Sequence, residues 1–447
     1  MERKLFGTDG VRGKAGTFLT AELALALGRA ATASLKAERP QVLIVRDTRE
    51  SGPMLEAALA AGVAEAGGDA LLGGVLPTPA AAVLVRKLGL DLAAVVSASH
   101  NPYGDNGIKF FGANGSKLGD EVEAGIEALL EERGRGFDRI AAQSSTAPAG
   151  FGHVRELSGG EEDYLRALEA AFPLDLSGIE VALDCANGAT HRVAPAIFER
   201  LGAEVDAIAI EPDGRNINDG CGSTHLGNLA EHVASSGATI GFAFDGDGDR
   251  VLAVDGGGSA HDGDELIALL ARGQTERGEL EGGVAVTVMS NFGFHRAMEA
   301  AGIEVAVTKV GDRYVLDELR ERDWALGGEQ SGHIIDMRFA ATGDGIAAAL
   351  MTMRELSDRD LASVEAMEKL PQKLVNVEVA DREAIAGAGA VWDAVECEGA
   401  ELEGRGRVLL RPSGTEPLVR VMAEAPTAEE AEAVCKRLAD LVRQELG

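Results

Sequence analysis

Several things are scarce in this chain of 447 residues, and each scarcity closes a class of function. No apolar run approaches the ~20 residues of a membrane-spanning helix, and the opening MERKLFGTDG lacks the apolar stretch of a secretory signal. The expectation is a protein with no membrane association. The four cysteines, Cys185, Cys221, Cys397 and Cys435, are scattered and form no CxxC pair. That argues against a disulfide framework or a zinc site and fits reduced thiols in the cytoplasm. Lysine is rare, at 10 against 32 arginines, and 42 basic residues face 73 acidic ones for a net charge of −31. Without a basic cluster to meet a phosphate backbone, nucleic acid is not an expected partner. Net charge acts at long range, however, so a locally positive site can still take an anionic substrate. A lysine-poor acidic surface also suits a cytoplasm of high salt, where repulsion is screened.

What is present is ordinary globular material, with 45% hydrophobic residues and a mean hydropathy of +0.01. The length implies three or four domains of ~100–150 residues each. Three segments share one grammar of strand, turn, helix, glycine stop and second strand. They begin at VLIVRD (42–47), VALD (181–184) and VAVTV (284–288). That is the βαβ unit of a parallel sheet, and its recurrence predicts three related α/β domains. From about residue 370 the pattern changes. Strands at 374–379, 408–412 and 419–425 precede a helix opened by Thr427, with Glu430 in capping-box position, which predicts a small α+β domain. Linkers are expected near 137–155 and 369–372.

Two stretches carry the chemistry. In VVSASHNPYGDNGIKFF (95–111), a buried strand delivers Ser97, Ser99 and His100 into a turn fixed by Pro102. Ser, Asn and Pro also simply close strands, so this stretch alone does not decide. In FAFDGDGDRVLAV (242–254), Asp245, Asp247 and Asp249 are separated by glycines and flanked by apolar strands. Three carboxylates this close repel one another, and a hard divalent cation with oxygen ligands resolves the repulsion. Arg250 and Gly256, where an EF-hand needs Gly and Glu, exclude that motif. HDGDE (261–265) is also acidic but directly precedes a helical run, where Asp caps a helix.

Four further stretches are weaker alone. RPSGTEP (411–417) sets Arg411, Ser413, Gly414 and Thr415 between two strands, as an anion cradle does. In GGEQSGH (327–333), Glu329, Ser331 and His333 alternate with small residues and suit vicinal sugar hydroxyls. FGTDGVRG (6–13) adds Arg12, and TKVGDRYV (308–315) adds Lys309 and Arg313.

Together FGTDGVRG, SASHNP, DGDGDR, GEQSGH and RPSGTEP, in that order, closely resemble the α-D-phosphohexomutase family across the whole chain. The resemblance implies a heart-shaped α/β protein, with three related domains of mixed, mainly parallel sheets, a C-terminal α+β domain and a central cleft. The implied division is 1–136 with the phosphoserine loop, 155–255 with the metal loop, 256–367 with the sugar-binding loop and 370–447 with the phosphate-binding loop. Ser99 would carry the phosphoryl group, and Mg2+ would be held by Ser99, Asp245, Asp247 and Asp249. His100 and Lys109 would move protons, and Arg12 and Arg250 would stabilise charge. Glu329, Ser331 and His333 would hold the sugar, and Arg411, Ser413, Gly414 and Thr415 the phosphate that is not transferred. A 1,6-bisphosphate would be intermediate and primer. NINDGCGSTHL (216–226) resembles the glucosamine branch of the family. The implied reaction is then interconversion of glucosamine 6-phosphate and glucosamine 1-phosphate, feeding UDP-N-acetylglucosamine synthesis, in a cytoplasmic monomer or homodimer. Hexose phosphates, as in the phosphoglucomutase and phosphomannomutase branches, are the alternative substrates. Two other classes stay open: a phosphatase with Asp245 as nucleophile, and a non-catalytic sugar-phosphate sensor.

Overall fold

The structure is a computed structural model that describes residues 5–7, 9–133, 150–357, 359–413 and 417–447. Its packing divides into two units, Met1–Val288 with Val305–Val364, and Met289–Glu304 with Glu365–Gly447. No described helix is long and apolar enough to cross a membrane.

Among the described residues the first unit holds three sheets. The first comprises β1 (Val11–Lys14), β2 (Gln41–Arg46), β3 (Asp69–Val75), β4 (Leu92–Val96), β5 (Asp105–Gly112) and β6 (Val154–Glu156), in the order β1-β5-β4-β2-β3-β6. The second comprises β7 (Glu180–Asp184), β8 (Glu204–Ile208), β9 (Ile240–Phe244), β10 (Val251–Asp255) and β11 (Ala260–His261), in the order β11-β10-β9-β7-β8. The third comprises β12 (Val284–Thr287), β13 (Val305–Thr308), β14 (Leu326–Gly328) and β15 (Ile334–Asp336), in the order β13-β12-β14-β15.

One topology recurs in all three. A first strand pairs in parallel with a second and a third, each reached through a helix, and a hairpin then adds a fourth strand antiparallel to the third. The quartets are β2, β3, β4, β5; β7, β8, β9, β10; and β12, β13, β14, β15. Helix-covered central strands are buried on both faces, which is why β4 and β9 read as unbroken apolar runs. The stretches SASHNP, DGDGDR and EQSGH are the three third-to-fourth-strand hairpin turns. Equivalent positions of three repeats thus present the candidate chemistry.

Small residues allow close packing behind the first sheet. Helix Ala21–Ala33 lies on helix Gly52–Glu65, where a Cβ on Gly28 would come 2.3 Å from Leu59 O and one on Gly62 would come 2.1 Å from Leu25 O. Asp262 caps the helix Gly263–Glu276 in a full capping box with Glu265, as HDGDE predicts.

The linker expected over 137–155 is only partly visible, because 134–149 fall outside the described residues. Its last part is not a linker. Val154–Glu156 form β6, parallel to β3 at the sheet edge, with His153 N–H donating to Asp69 Oδ1 at 2.8 Å. All three β6 residues are exposed, so no apolar alternation marked the strand.

In the second unit β16 (Gln372–Glu378), β17 (Arg407–Pro412) and β18 (Leu418–Glu424) form an antiparallel sheet in the order β16-β18-β17. Helix Ala428–Leu446 covers it with a stripe of Ala431, Val434, Cys435, Leu438, Ala439 and Val442. Thr427 caps this helix by accepting from Glu430 N–H at 3.2 Å. The expected reciprocal half is replaced, because the Glu430 carboxylate pairs with Arg405 at 2.7 Å. Nor is 369–372 a loose connection, since Asn291 and Leu370 exchange two hydrogen bonds of 3.0 Å.

Candidate functional site

The β4–β5 turn begins with a side chain holding its own backbone. Ser97 Oγ donates to Asp47 Oδ2 at 2.6 Å and accepts from Ser99 N–H at 3.0 Å. Ser99 then takes φ 53°, a left-handed conformation that a β-carbon disfavours by roughly 1–2 kcal/mol. The outcome is directional: Ser99 Oγ donates to Asp245 Oδ2 at 2.5 Å. His100 Nδ1 lies 3.4 Å from the same Oγ.

Asp245, Asp247 and Asp249 are all buried, and one carboxylate oxygen from each lies within 4.8 Å of the others. Gly248 makes the curl possible, at φ +71° and where a Cβ would meet Thr190 Cγ2 at 2.5 Å. Asp247 accepts from Thr78 Oγ1 at 2.6 Å and from Lys109 Nζ at 2.7 Å. Asp247 Oδ1 and Asp249 Oδ1 have no hydrogen-bond partner although buried. Burial, reinforced by the charges of Asp249 and Asp247, pushes the Asp245 carboxyl well above its usual range. Burial opposes ionisation of Asp249 too, but His333 and Lys109 outweigh it and hold that carboxyl well below its usual range. Converging, unsatisfied carboxylate oxygens form a donor set that fits a hard divalent cation.

Around the aspartates runs a closed ring in which carboxylates alternate with Lys109, Lys117 and His333. Lys109 Nζ lies 3.8 Å from Asp9 Oδ2 and 3.7 Å from Asp249 Oδ2. His333 Nδ1 lies 3.7 Å from Asp249, and its Nε2 3.7 Å from Asp312. Lys117 closes the ring by pairing with both Asp312 and Asp9. Burial alone would lower the Lys109 pKa, but Asp247, Asp9 and Asp249 overcome it and keep the ammonium charged. The reverse holds at His100, where burial and then Arg250 and Arg12 lower the pKa, so the ring is neutral at pH 7. Arg12 pairs with Asp9, and Arg250 Nε lies 3.9 Å from Asp249. Both Nε groups lack a hydrogen-bond partner.

On the β14–β15 turn, Glu329 is half-buried and Oε1 accepts from Gly311 N–H at 3.1 Å, while Ser331 is exposed. His333 is the most enclosed of the three. It is 2% exposed, and Gly343 N–H donates to its Nε2 at 3.0 Å, which directs its ring toward Asp249.

In the second unit, Arg411 and Arg420 are register partners across β17 and β18. Like charges so placed destabilise a bare sheet. Burial and then the Arg420 charge lower the Arg411 pKa. Ser413 is buried and its N–H donates to Leu418 O at 2.9 Å. Gly414 and Thr415 lie outside the described residues.

Asp9, Thr78, Lys117 and Asp312 were not singled out from the sequence. Asp9 and Asp312 sit inside motifs quoted above for their arginines, so the signal was present but assigned to the neighbouring charge. Lys117 and Thr78 carry no local signal.

Comparison with known proteins follows the same lines. Residues 3–135, 162–258 and 262–374 match the phosphoglucomutase/phosphomannomutase α/β/α domains I, II and III, and 374–441 match the C-terminal domain of that family. A phosphoglucosamine mutase of Heliobacterium modesticaldum is 49% identical, covering 99% of both chains. One of Streptomyces avermitilis is 50% identical, covering 99% of this chain and all of the relative. The crystal structure of a phosphoglucomutase/phosphomannomutase family protein from Burkholderia thailandensis superimposes with TM-score 0.81 at 24% identity, over 99% of this chain and 97% of that one. Four domains in family order, a near full-length match and a shared fold are one result: the chain belongs to the phosphoglucomutase/phosphomannomutase family and has strong homology to its phosphoglucosamine mutases.

Proposed function

We propose that the protein is a mutase interconverting glucosamine 6-phosphate and glucosamine 1-phosphate, with Ser99 as phosphoryl carrier and a sugar 1,6-bisphosphate as intermediate and primer. The product feeds UDP-N-acetylglucosamine synthesis, and the setting is the cytoplasm, on a monomer or homodimer. The observation that carries this reading is the placement of Ser99 Oγ, 2.5 Å from Asp245 within three converging carboxylates. The names of the near full-length relatives support the choice of amino sugar.

Phosphorylated Ser99 passes its phosphoryl group to the free O1 or O6 hydroxyl of a bound sugar monophosphate. The P–Oγ bond breaks, a new P–O bond forms, and the proton lost by the sugar hydroxyl is balanced by one gained at the departing Ser99 Oγ. The bisphosphate turns around and returns its other phosphoryl group to Ser99. Neutral His100, 3.4 Å from Oγ, can take the serine proton in that return step. Lys109 stays charged, so beside the phosphoserine it would give a proton rather than take one, while neutralising charge among the aspartates. Arg12 and Arg250 offer unsatisfied N–H groups to the phosphoryl oxygens. Mg2+ held by Asp245, Asp247, Asp249 and an oxygen of phosphorylated Ser99 would supply further charge neutralisation. Glu329 and Ser331 would hold sugar hydroxyls, and Arg411, Ser413, Gly414 and Thr415 the second phosphate.

The test is intact mass followed by peptide mapping. Purified protein treated with a sugar 1,6-bisphosphate is expected to carry one phosphate at Ser99, and Ser99→Ala to carry none and to lose turnover. Turnover of Ser99→Ala within a few-fold of wild type would refute the carrier role. Stoichiometric release of inorganic phosphate would favour a phosphatase.

A further inference from the structure

Two donors from different parts of the chain converge on the backbone carbonyls of the Ser99 turn. Arg49, fully buried after β2, is tied to Asp47 at 2.8 Å through Nε. Its Nη2 donates to Ser99 O and Asn101 O, each at 2.8 Å, and its Nη1 to Pro102 O at 2.6 Å. From the second repeat, Asn218 Nδ2 donates to Ser99 O at 3.0 Å and to Asn101 O at 3.2 Å. Asn218 is 7% exposed and itself left-handed, at φ 58°. Its backbone is fixed separately, because its N–H donates to Ala186 O at 2.9 Å. The metal loop closes over the pair, since a Cβ on Gly246 would lie 2.7 Å from both Asn218 Nδ2 and Ser99 O.

Asn218 lies within NINDGCGSTHL, the segment whose likeness to one branch of the family suggests a part in choosing the sugar. Its amide reaches the serine turn instead. We propose that Asn218 is a positioning residue for phosphoryl transfer. Its amide, with the Arg49 guanidinium, clamps the carbonyls of Ser99 and Asn101 and so holds Ser99 in the left-handed conformation that aims Oγ at Asp245. Two bonds to each carbonyl oppose the relaxation of Ser99 toward the α or β region. Loss of one side of the clamp lets Oγ wander by an ångström or so, enough to slow transfer about a hundredfold. This rests on the reading of Ser99 as phosphoryl carrier.

Asn218→Gly is the cleanest test, because glycine keeps φ near 58° without strain while removing both hydrogen bonds. Asn218→Asp keeps the shape but sets a carboxylate against two carbonyl oxygens. Two readouts are taken on each variant and on wild type. One is hydrogen exchange of peptides covering 97–103, with peptides covering 92–96 and 106–112 as internal controls. The other is the rate at which a sugar 1,6-bisphosphate phosphorylates Ser99 in a single turnover, with KM for the monophosphate measured alongside. The clamp predicts exchange at 97–103 faster by about tenfold or more, unchanged exchange in the flanking strands, and phosphorylation slowed about tenfold to hundredfold with KM within about threefold. Unchanged exchange at 97–103 overturns it, even if transfer slows, because Asn218 would then act on the substrate directly. Faster exchange with normal transfer overturns it too, leaving only a structural bond. Should wild type take no phosphate at Ser99, the carrier reading fails, and the exchange readout alone decides the clamp.

Discussion

Lys109 Nζ and Asp247 Oδ2 meet at 2.7 Å with both side chains almost wholly buried. Their pairing keeps three crowded carboxylates together when no cation neutralises them. Breaking a buried pair by removing one partner costs about 3–5 kcal/mol. Lys109→Met is therefore expected to destabilise the chelator-treated protein by about that much and to be partly rescued by Mg2+. Thermal unfolding in EDTA and in excess Mg2+ checks this, and an equal loss under both conditions would sink it.

The same aspartates set the metal requirement. Asp247 Oδ1 is one of the two orphaned carboxylate oxygens within the Asp245, Asp247 and Asp249 cluster, so Asp247→Asn removes a charge where a cation would need it. Weaker Mg2+ binding by calorimetry and a higher Mg2+ demand for turnover are expected. Full activity of wild type in excess chelator would contradict the assignment.

A second buried carboxylate makes stability depend on pH. Asp344 caps the helix Gly345–Leu356 by accepting from Ala347 N–H at 3.0 Å, and accepts from Tyr164 Oη at 2.8 Å. Burial raises its pKa from 3.8 to about 6. Between those values the folded chain keeps a proton that the unfolded chain has lost. Stability therefore falls as pH rises through this window, by about 3 kcal/mol in all. In Asp344→Asn the amide oxygen can keep the cap while the amide N–H donates to Tyr164. This variant should show a flatter profile from pH 4 to 6 and greater stability at pH 7. Urea midpoints across that range test it, and parallel profiles for variant and wild type would refute it.

Much of this architecture was legible because central strands are apolar on both faces and their turns are dense in glycine. DGDGDR announced itself by charge repulsion alone. β6 did not, since an exposed edge strand of three residues has no apolar periodicity. The ring through Asp9, Lys117, Asp312 and His333 was hidden for another reason. Lys117 and Asp312 are 195 positions apart, one in a bridge to Phe111 and the other at the start of the helix Asp312–Arg322, and each is a single charge until three repeats fold together. Asn218 shows the remaining gap. Its segment was visible as a signature, but only the fold reveals that its amide faces the serine turn.

Arg411 and Arg420 face each other in register on β17 and β18, an arrangement that a bound phosphate would reconcile. Arg411→Ala is expected to raise KM for phosphosugars roughly tenfold to hundredfold, the worth of a charged hydrogen bond of ~1.5–3 kcal/mol. Because it also removes a like-charge neighbour, it should leave the melting temperature unchanged or slightly raised. An unchanged KM with lowered stability would reduce RPSGTEP to a strand-connecting turn.

Sugar choice is expected to rest on Glu329 rather than on NINDGCGSTHL. The half-buried Glu329 carboxylate is fixed by Gly311 N–H and lies close enough to Arg250 to raise its pKa. A substrate ammonium beside it would gain a charge-assisted hydrogen bond worth ~1.5–3 kcal/mol, whereas a hydroxyl there would gain less. Glucosamine 6-phosphate should then have the highest kcat/KM among the glucosamine, glucose and mannose 6-phosphates at matched bisphosphate priming. Glu329→Gln keeps an oxygen for Gly311 but loses the charge, so it should narrow the gap between glucosamine and glucose by roughly tenfold. Assays at low and at multimolar salt separate this local contact from the general pull of an acidic surface, which screening abolishes. A gap that Glu329→Gln leaves intact would move the discrimination elsewhere. Equal or better turnover of glucose or mannose phosphate by wild type at both salt levels would assign the protein to the hexose phosphates, with the serine chemistry unchanged.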